Sequence, residues 1–286
     1  MILTESSSAR IGASVVQAIV STSATFRQFM CYSLTTISHA ISGTTGLIKN
    51  GIGGLTLSGV CNYTGPTIIN QGTLTVTSAS TLNGVISGAG SLSKTGTAVL
   101  TIGGNNTYSG GTSYVSAGVA FSINYNSSNA FGTGLFTVSN AALGQISTGG
   151  NVTLPNDFLI NSVSLQYRTT GANTITVTGN IAGLGGINKT GNGVLDLKGT
   201  LTYTGGTTIT AGTIRAYKTV GASRATANFT TATTLTITFD VPPDAGTQTY
   251  RFFQGSTSRS YTTINLVNAP WRTGAYNSTT STLTVT

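Results

Sequence analysis

Charge is scarce in this sequence. Only 6% of its 286 residues are charged, and five are acidic: Glu5, Asp157, Asp196, Asp240 and Asp244. Glycoside hydrolysis needs two carboxylates held about 5–10 Å apart, and no such pair suggests itself. Asp196 alternates with Lys198 on the outer face of a strand pattern, where an exposed ion pair explains both. Asp157 lies in a Pro-Asn-Asp turn and is expected to cap local backbone. Asp240 and Asp244 flank Pro242-Pro243, and Glu5 sits near the start of the chain. Calcium-assisted lyase chemistry needs clustered acids, and none cluster. The single histidine, His39, has no Ser/Asp or Cys partner that the sequence identifies, so a catalytic triad is unsupported. Catalytic, cofactor-binding and metal-ligating residues are therefore all expected to be absent.

Other absences narrow the class further. The two cysteines, Cys31 and Cys61, show neither a CxxC nor a zinc spacing, and the spacing leaves open whether they pair. No stretch reaches the ~20 apolar residues of a transmembrane helix. The apolar run 11–20 follows Arg10 but is diluted by Gly12, Ser14 and Gln17, so it is not expected to be a cleaved leader. A membrane β-barrel would need many further strands, and the chain ends at Thr286. The net charge is +8, yet the 13 basic residues are scattered and no two are adjacent. A solvated surface accounts for them, and no specific nucleic-acid partner is expected. The phosphate-loop spacing GxxxxGK[ST] is missing as well.

Glycine is abundant, with 38 residues, and it recurs in order. Lys49, Lys94 and Lys189 are each followed 14 residues later by Tyr63, Tyr108 and Tyr203. Glycine stands two residues after each lysine (Gly51, Gly96, Gly191) and ten after it (Gly59, Gly104, Gly199). Apolar pairs lie between, at Leu55/Leu57, Leu100/Ile102 and Leu195/Leu197. Gly65, Gly110 and Gly205 follow each tyrosine by two, and Gly72, Gly118 and Gly212 come later. Copy starts lie 45 and 95 residues apart, so a degenerate unit fills the second gap. Val194 to Lys198 alternates with period two, which predicts a strand burying Leu195 and Leu197. Thr207 to Ile209 and Thr213-Ile214 are β-branched. A single unit cannot bury its apolar face, whereas stacked units can, with hydrogen bonds running between coils. Position by position, glycines make corners, Leu and Ile fill the core, Thr and Tyr stack between coils, and Lys189 and Asp196 face solvent.

The pattern is sharpest over Gly186–Ile214, GINKTGNGVLDLKGTLTYTGGTTITAGTI, and GVISGAGSLSKTG leads into the second copy. It resembles the autotransporter-associated β-strand repeat family. The first copy departs from it with Asn50 and Pro66, the second with Ser109. The resemblance covers residues 44–216. It implies a right-handed parallel β-helix, a β-solenoid, of the kind found in secreted passenger domains and in other extracellular and viral proteins.

The expected fold is thus all-β. Residues 1–43 form a non-repeating attachment or capping segment, 44–216 the stacked repeats, and 217–286 the last coils with a small β-rich C-terminal cap. At ~20 residues per coil, the repeats make about eight to nine coils, a rod on the order of 40 Å long. Ile11, Val15 and Ile19 fit a short amphipathic helix, although the β-branched content fits extended chain equally. Phe26, Phe29, Met30, Tyr32 and Leu34 form a sticky stretch that must cover the first coil or dock another chain. Trp271, Phe252, Phe253 and Tyr261 are read as cap core, with Arg251, Arg259 and Arg272 a weak candidate rim.

The expected function is a non-enzymatic structural rod. The sequence is read first as a bacteriophage virion component, a tail fibre, spike or capsid decoration held to other virion proteins through residues 1–43. The alternative is a bacterial surface adhesin or passenger-like protein. A homo-oligomer, favoured as a trimer that hides Phe26–Leu34 between chains, and host cell-surface polysaccharide are the other expected partners.

Overall fold

The computed structural model describes residues 22–23, 26–115, 121–139, 144–161, 164–205, 207–220, 223–229, 234–239, 247–251, 263–267, 273–277 and 282–286. The candidate helix at residues 11–19, Glu5, Asp240, the Pro242-Pro243 turn, Asp244, Phe252, Phe253, Arg259, Tyr261, Trp271 and Arg272 lie outside them. The described residues contain strands and turns and no helix. They divide into two compact units, Met1–Gly144 and Gln145–Thr286.

The first unit is a parallel β-solenoid whose coils contribute one strand to each of three faces. The first face aligns Phe26–Met30, Gly46–Asn50, Thr67–Ile69 and Ile86–Ser87, with Thr22–Ser23 added antiparallel at its edge. The second aligns Thr35–Ile37, Leu55–Leu57, Thr73–Val76, Ser91–Thr95, Thr112–Val115 and Phe136–Ser139. On the third, Ile41–Gly43 pairs with Cys61–Tyr63, and Ser80–Leu82 with Leu100–Ile102 and Phe121–Tyr125. The Cys61 amide bridges the two sets by donating to Ser80 Oγ at 3.0 Å. Register steps run from 18 residues (Leu74 to Leu92) to 24 (Thr112 to Phe136). The sticky stretch is part of this architecture: Phe29 faces the core, and Tyr32 and Leu34 stand out from the first corner.

The second unit follows the same plan. Val152–Leu154, Thr174–Val177, Val194–Leu197 and Thr213–Val220 run parallel on one face. Ser164–Thr169, Gly186–Thr190 and Thr207–Ile209 form another. Phe158–Ile160 and Ile181–Ala182, bridged onward to Leu201, form a third. The strand at Val152 stops at Leu154, before Pro155, as the sequence indicates. Beyond Ile214 the chain turns antiparallel. Thr213–Val220, Ser223–Phe229 and Thr234–Phe239 make a meander, and Thr263–Val267 adds parallel to its last strand. Gln248–Arg251, Thr282–Val285 and Gly274–Asn277 form a separate antiparallel sheet.

Period-two burial explains the core. Leu55 and Leu57, Leu100 and Ile102, and Leu195 and Leu197 point inward with no exposure. In the first unit, Tyr125, Phe131 and Phe136 form an aromatic cluster with centroids 5.0 and 4.7 Å apart. In the second, Phe158 meets Tyr167 at 5.9 Å. These are edge-type contacts of the sort that aromatic quadrupoles favour.

The repeat glycines serve two different needs. Gly51, Gly96 and Gly191 take φ of 78°, 76° and 73°, which L-residues with side chains resist. Gly65 and Gly205 need no unusual φ but have no room. A Cβ on Gly205 would lie 2.4 Å from the Gly185 carbonyl carbon, and one on Gly199 only 1.9 Å from the Gly179 carbonyl oxygen. Here the backbone of the neighbouring coil occupies the side-chain position. Gly199→Ala is therefore expected to destabilise the chain by on the order of 3 kcal/mol or more. Gly150→Ala, with no atom within 4 Å of its Cβ, should be neutral. Thermal melts of the two variants check this, and equal melting temperatures would contradict it.

Candidate functional site

The residues that recur most strictly are the lysines, and they are buried. Lys49, Lys94 and Lys189 are each 0% exposed, against the expectation that Lys189 faces solvent. Each lies two residues after an inward apolar residue on its own strand: Leu47, Leu92 and Ile187. Strand alternation alone sends Lys and Leu to the same side. That signal was present in the sequence, and the usual preference of lysine for water hid it.

A buried ammonium needs acceptors, and the repeat supplies backbone carbonyls. Lys189 Nζ donates to the oxygens of Thr190 and Gly191, both at 2.7 Å, to Thr169 Oγ1 at 3.2 Å and to Ala211 O at 3.5 Å. Lys49 Nζ donates to Gly51 O and Gln71 O, both at 2.9 Å. Lys94 Nζ donates to Thr95 O and to Gly96 O at 3.2 Å. The carbonyls one and two residues on belong to the turn that the positive-φ glycine closes. Gln71 and Ala211 belong to the following coil. Each lysine thus ties its own corner, and two of them tie it to the next coil. Where Tyr114 stands opposite Lys94 in the register, its hydroxyl donates to the same Gly96 oxygen at 3.2 Å.

The tyrosines are buried too. The hydroxyls of Tyr63, Tyr108 and Tyr203 meet Thr67, Thr112 and Thr207 Oγ1 at 2.7, 2.5 and 2.6 Å. The intervening Gly-containing corner brings the threonine hydroxyl within reach of the phenol. Burial pushes the phenols of Tyr63 and Tyr108 well above their usual range, so they stay neutral.

The carboxylates are likewise structural. Asp157 is exposed, and its Oδ1 accepts the amide of Asn180, one coil on, at 2.7 Å. It therefore caps the neighbouring coil rather than its own turn. Asn180 Oδ1 in turn accepts the Thr200 amide at 3.0 Å. Asp196 stands on the outward row between Thr176 and Arg215, with Lys198 Nζ at 3.9 Å. The expected ion pair is present, but Asp196 is only 6% exposed because its row neighbours cover it. His39 is exposed. Cys31 and Cys61 are buried, unpaired thiols, and burial raises both above the usual thiol range. Among the described residues no group of three His, Cys, Asp or Glu could hold a metal ion, and no helix is long and apolar enough to cross a membrane.

Burial holds Lys94 and Lys189 down to about 8. Their unfolded value is 10.5, so between the two the unfolded chain binds more protons and stability rises with pH. The lysine contribution, read as the difference in melting temperature between wild type and Lys94→Met/Lys189→Met, is expected to grow between pH 8 and pH 9.5, while the raised thiols of Cys31 and Cys61 add the opposite slope to both proteins and cancel in the difference. About 1 kcal/mol corresponds to roughly 2–4 °C in a chain of this size. Lys94→Met/Lys189→Met should lose the lysine slope and cost about 1–3 kcal/mol per site at neutral pH, because turn carbonyls lose their donor. Calorimetry across this pH range measures both, and an unchanged slope in the double variant would refute the assignment.

Known protein families offer a match to the repeat. The model of the passenger-associated transport repeat fits residues 47–76, 92–119 and 187–216, the stretches that hold the three lysine–tyrosine copies. No curated protein and no solved structure matches the chain. The buried lysine, the corner glycines and the Tyr–Thr pair are the shared physical content of those three stretches, and the chain carries three passenger-associated transport repeats in a parallel β-solenoid fold.

Proposed function

We propose that this chain is a non-enzymatic structural scaffold displayed outside the cytoplasm. One observation carries the reading: the recurrent lysines and tyrosines of the repeat are engaged inside the fold. The lysines hold turn carbonyls and the tyrosines hold core threonines. Asp157, an acid outside the matched stretches, caps a neighbouring coil. A reactive group needs some freedom from such duty, or a pocket beside it. The repeat family is associated with autotransporter passenger domains on the bacterial cell surface, which favours a passenger-like role there.

A narrower reading places the chain on a bacteriophage particle, as a tail fibre, spike or capsid decoration held through residues 1–43. Its support is the apolar corner of the first two coils. Tyr32, Leu34 and Ile52 are 67%, 68% and 76% exposed, and the Tyr32–Ser33 backbone lies directly over Gly53. Such a ridge suits an interface, either with the mounting protein or between three copies of this chain.

Mass spectrometry of purified particles and of washed cell surfaces from the native source separates the two mounts. Recovery only from cytosol would overturn both. The purified chain should release no oligosaccharide from polysaccharide, and release would overturn the non-enzymatic assignment. Light scattering is expected to give a trimer that Tyr32→Ser/Leu34→Ser shifts toward monomer. A monomeric wild type would remove the oligomer from the proposal.

A further inference from the structure

The second face of the first unit carries an unbroken row of hydroxyls. Register places Thr36, Thr56, Thr75, Ser93, Ser113 and Thr137 side by side on six successive strands. Each is the outward residue between two inward ones, as in Leu55-Thr56-Leu57 and Leu74-Thr75-Val76. Strands ~4.8 Å apart make the row about 24 Å long. The other faces do not repeat this. The third interleaves amides, with Asn62, Thr81, Thr101 and Asn124, and the first presents Gln28, Ile48, Ile68 and Ser87.

The hydroxyls of this row differ from those beside it. In the flanking positions, Ser58 Oγ donates to Ile37 O at 3.3 Å and Thr77 Oγ1 to Leu57 O at 3.4 Å. Thr73 and Ser91 bond each other at 2.9 Å. Among the described residues, none of the six row hydroxyls has such a partner. Ser93, at the centre, is only 7% exposed, yet its hydroxyl is turned outward along the row.

We propose that this row is a binding face for a neutral polysaccharide, lying across the strands. The chemistry selects that class. Hydroxyls both donate and accept, so they suit a ligand that does the same at regular intervals. No Lys, Arg, Asp or Glu stands on the row or its flanks. The charged residues of described segments in this unit are Arg27, Lys49 and Lys94. The two lysines are buried, and the Arg27 guanidinium is engaged by Thr45 O and Ser42 O. An anionic polymer therefore finds no counter-charge. The threonine methyl groups offer apolar contact to sugar C–H bonds beside each hydroxyl. Single rungs bind weakly against water, and repetition along one chain supplies the affinity.

The inference goes beyond the scaffold role and does not depend on where the chain is mounted. The test uses the full chain in affinity electrophoresis, through gels containing dextran, mannan or arabinoxylan, and alginate as the anionic control. At least one neutral polymer should retard the wild type, with no loss at high salt. Thr56→Val/Thr75→Val/Thr137→Val keeps shape and strand preference but removes three hydroxyls. It should weaken binding by about tenfold or more, while Thr101→Val on the third face leaves it unchanged. Circular dichroism of each variant verifies the fold. Retardation that the triple variant retains, salt-sensitive retardation by alginate alone, no retardation by any neutral polymer, or loss of self-association in the triple variant without loss of polymer binding would each overturn the proposal. None of these outcomes bears on the cell-surface or particle assignment, which rests on fractionation.

Discussion

Successive coils of a parallel ladder lie one strand spacing apart, ~4.8 Å, and the rest of this structure is arranged to tolerate that distance at the corners. Along the strands the ladder pairs amides with carbonyls of the neighbouring coil. At the corners the backbone turns and the ladder is interrupted; some amides still reach a carbonyl of the neighbouring coil, as Gly53 reaches Cys31 and Gly90 reaches Ile69, and others need a different partner. Two devices resolve this. Glycines such as Gly199 and Gly205 let one coil's backbone rest on the next where a Cβ would collide. Side chains add further bonds between coils: Asp157 accepts the Asn180 amide, Asn62 accepts the Thr81 amide, and the Asn70 amide group donates to Asn50 Oδ1. Most of the polar ordering in this chain therefore runs between coils.

The buried lysines are the strongest form of the same solution. A turn closed by a positive-φ glycine directs consecutive carbonyls toward one point, and an ammonium with three donors fits there. Burying a charge is unfavourable unless it is well coordinated, so the site requires the turn as much as the turn requires the lysine. This mutual dependence explains why the lysine and the glycine two residues on occur together in all three copies. It also explains how tyrosine replaces lysine in the coil after Lys94. Tyr114 offers one donor to Gly96 O without a charge.

Strand identity was legible because period-two alternation and glycine corners act locally. Leu195 and Leu197 are inward, and the cap strands at Thr234–Phe239 and Thr282–Val285 lie where their patterns indicate. Residue type misled where packing decides. Lys189 follows Ile187 on the inward side, yet its charge argued for solvent. Asp196 is outward, as alternation requires, but Arg215 and Thr176 are placed beside it by register, which no local window contains. The relation between repeat and coil was also hidden. The first two copies begin 45 residues apart, whereas a coil takes about 20. The first copy accordingly starts on the face of Gly46–Asn50 and the second on that of Ser91–Thr95, which belong to different sheets. Copies of the sequence repeat do not lie over one another, so the stacking of like residues expected from the repeat gives way to stacking of unlike ones, such as Lys94 on Val76 and Tyr114.

That offset separates the two kinds of information in the chain. Since the repeat changes face from its first copy to its second, it does not by itself generate a uniform surface on one face. It secures corners and core wherever it falls. The outward residues are then free of the repeat and can be set face by face. In the first unit one face became an uninterrupted line of hydroxyls while the adjacent ones mixed amides and apolar groups. In the second unit an outward row instead gathers Thr153, Thr176, Asp196 and Arg215. A scaffold whose inward constraints are met by such a motif leaves much of its exterior open, apart from residues such as Asn62 and Asp157 that hold a neighbouring coil. Regularity found there, as in the row from Thr36 to Thr137, then calls for a cause outside the fold.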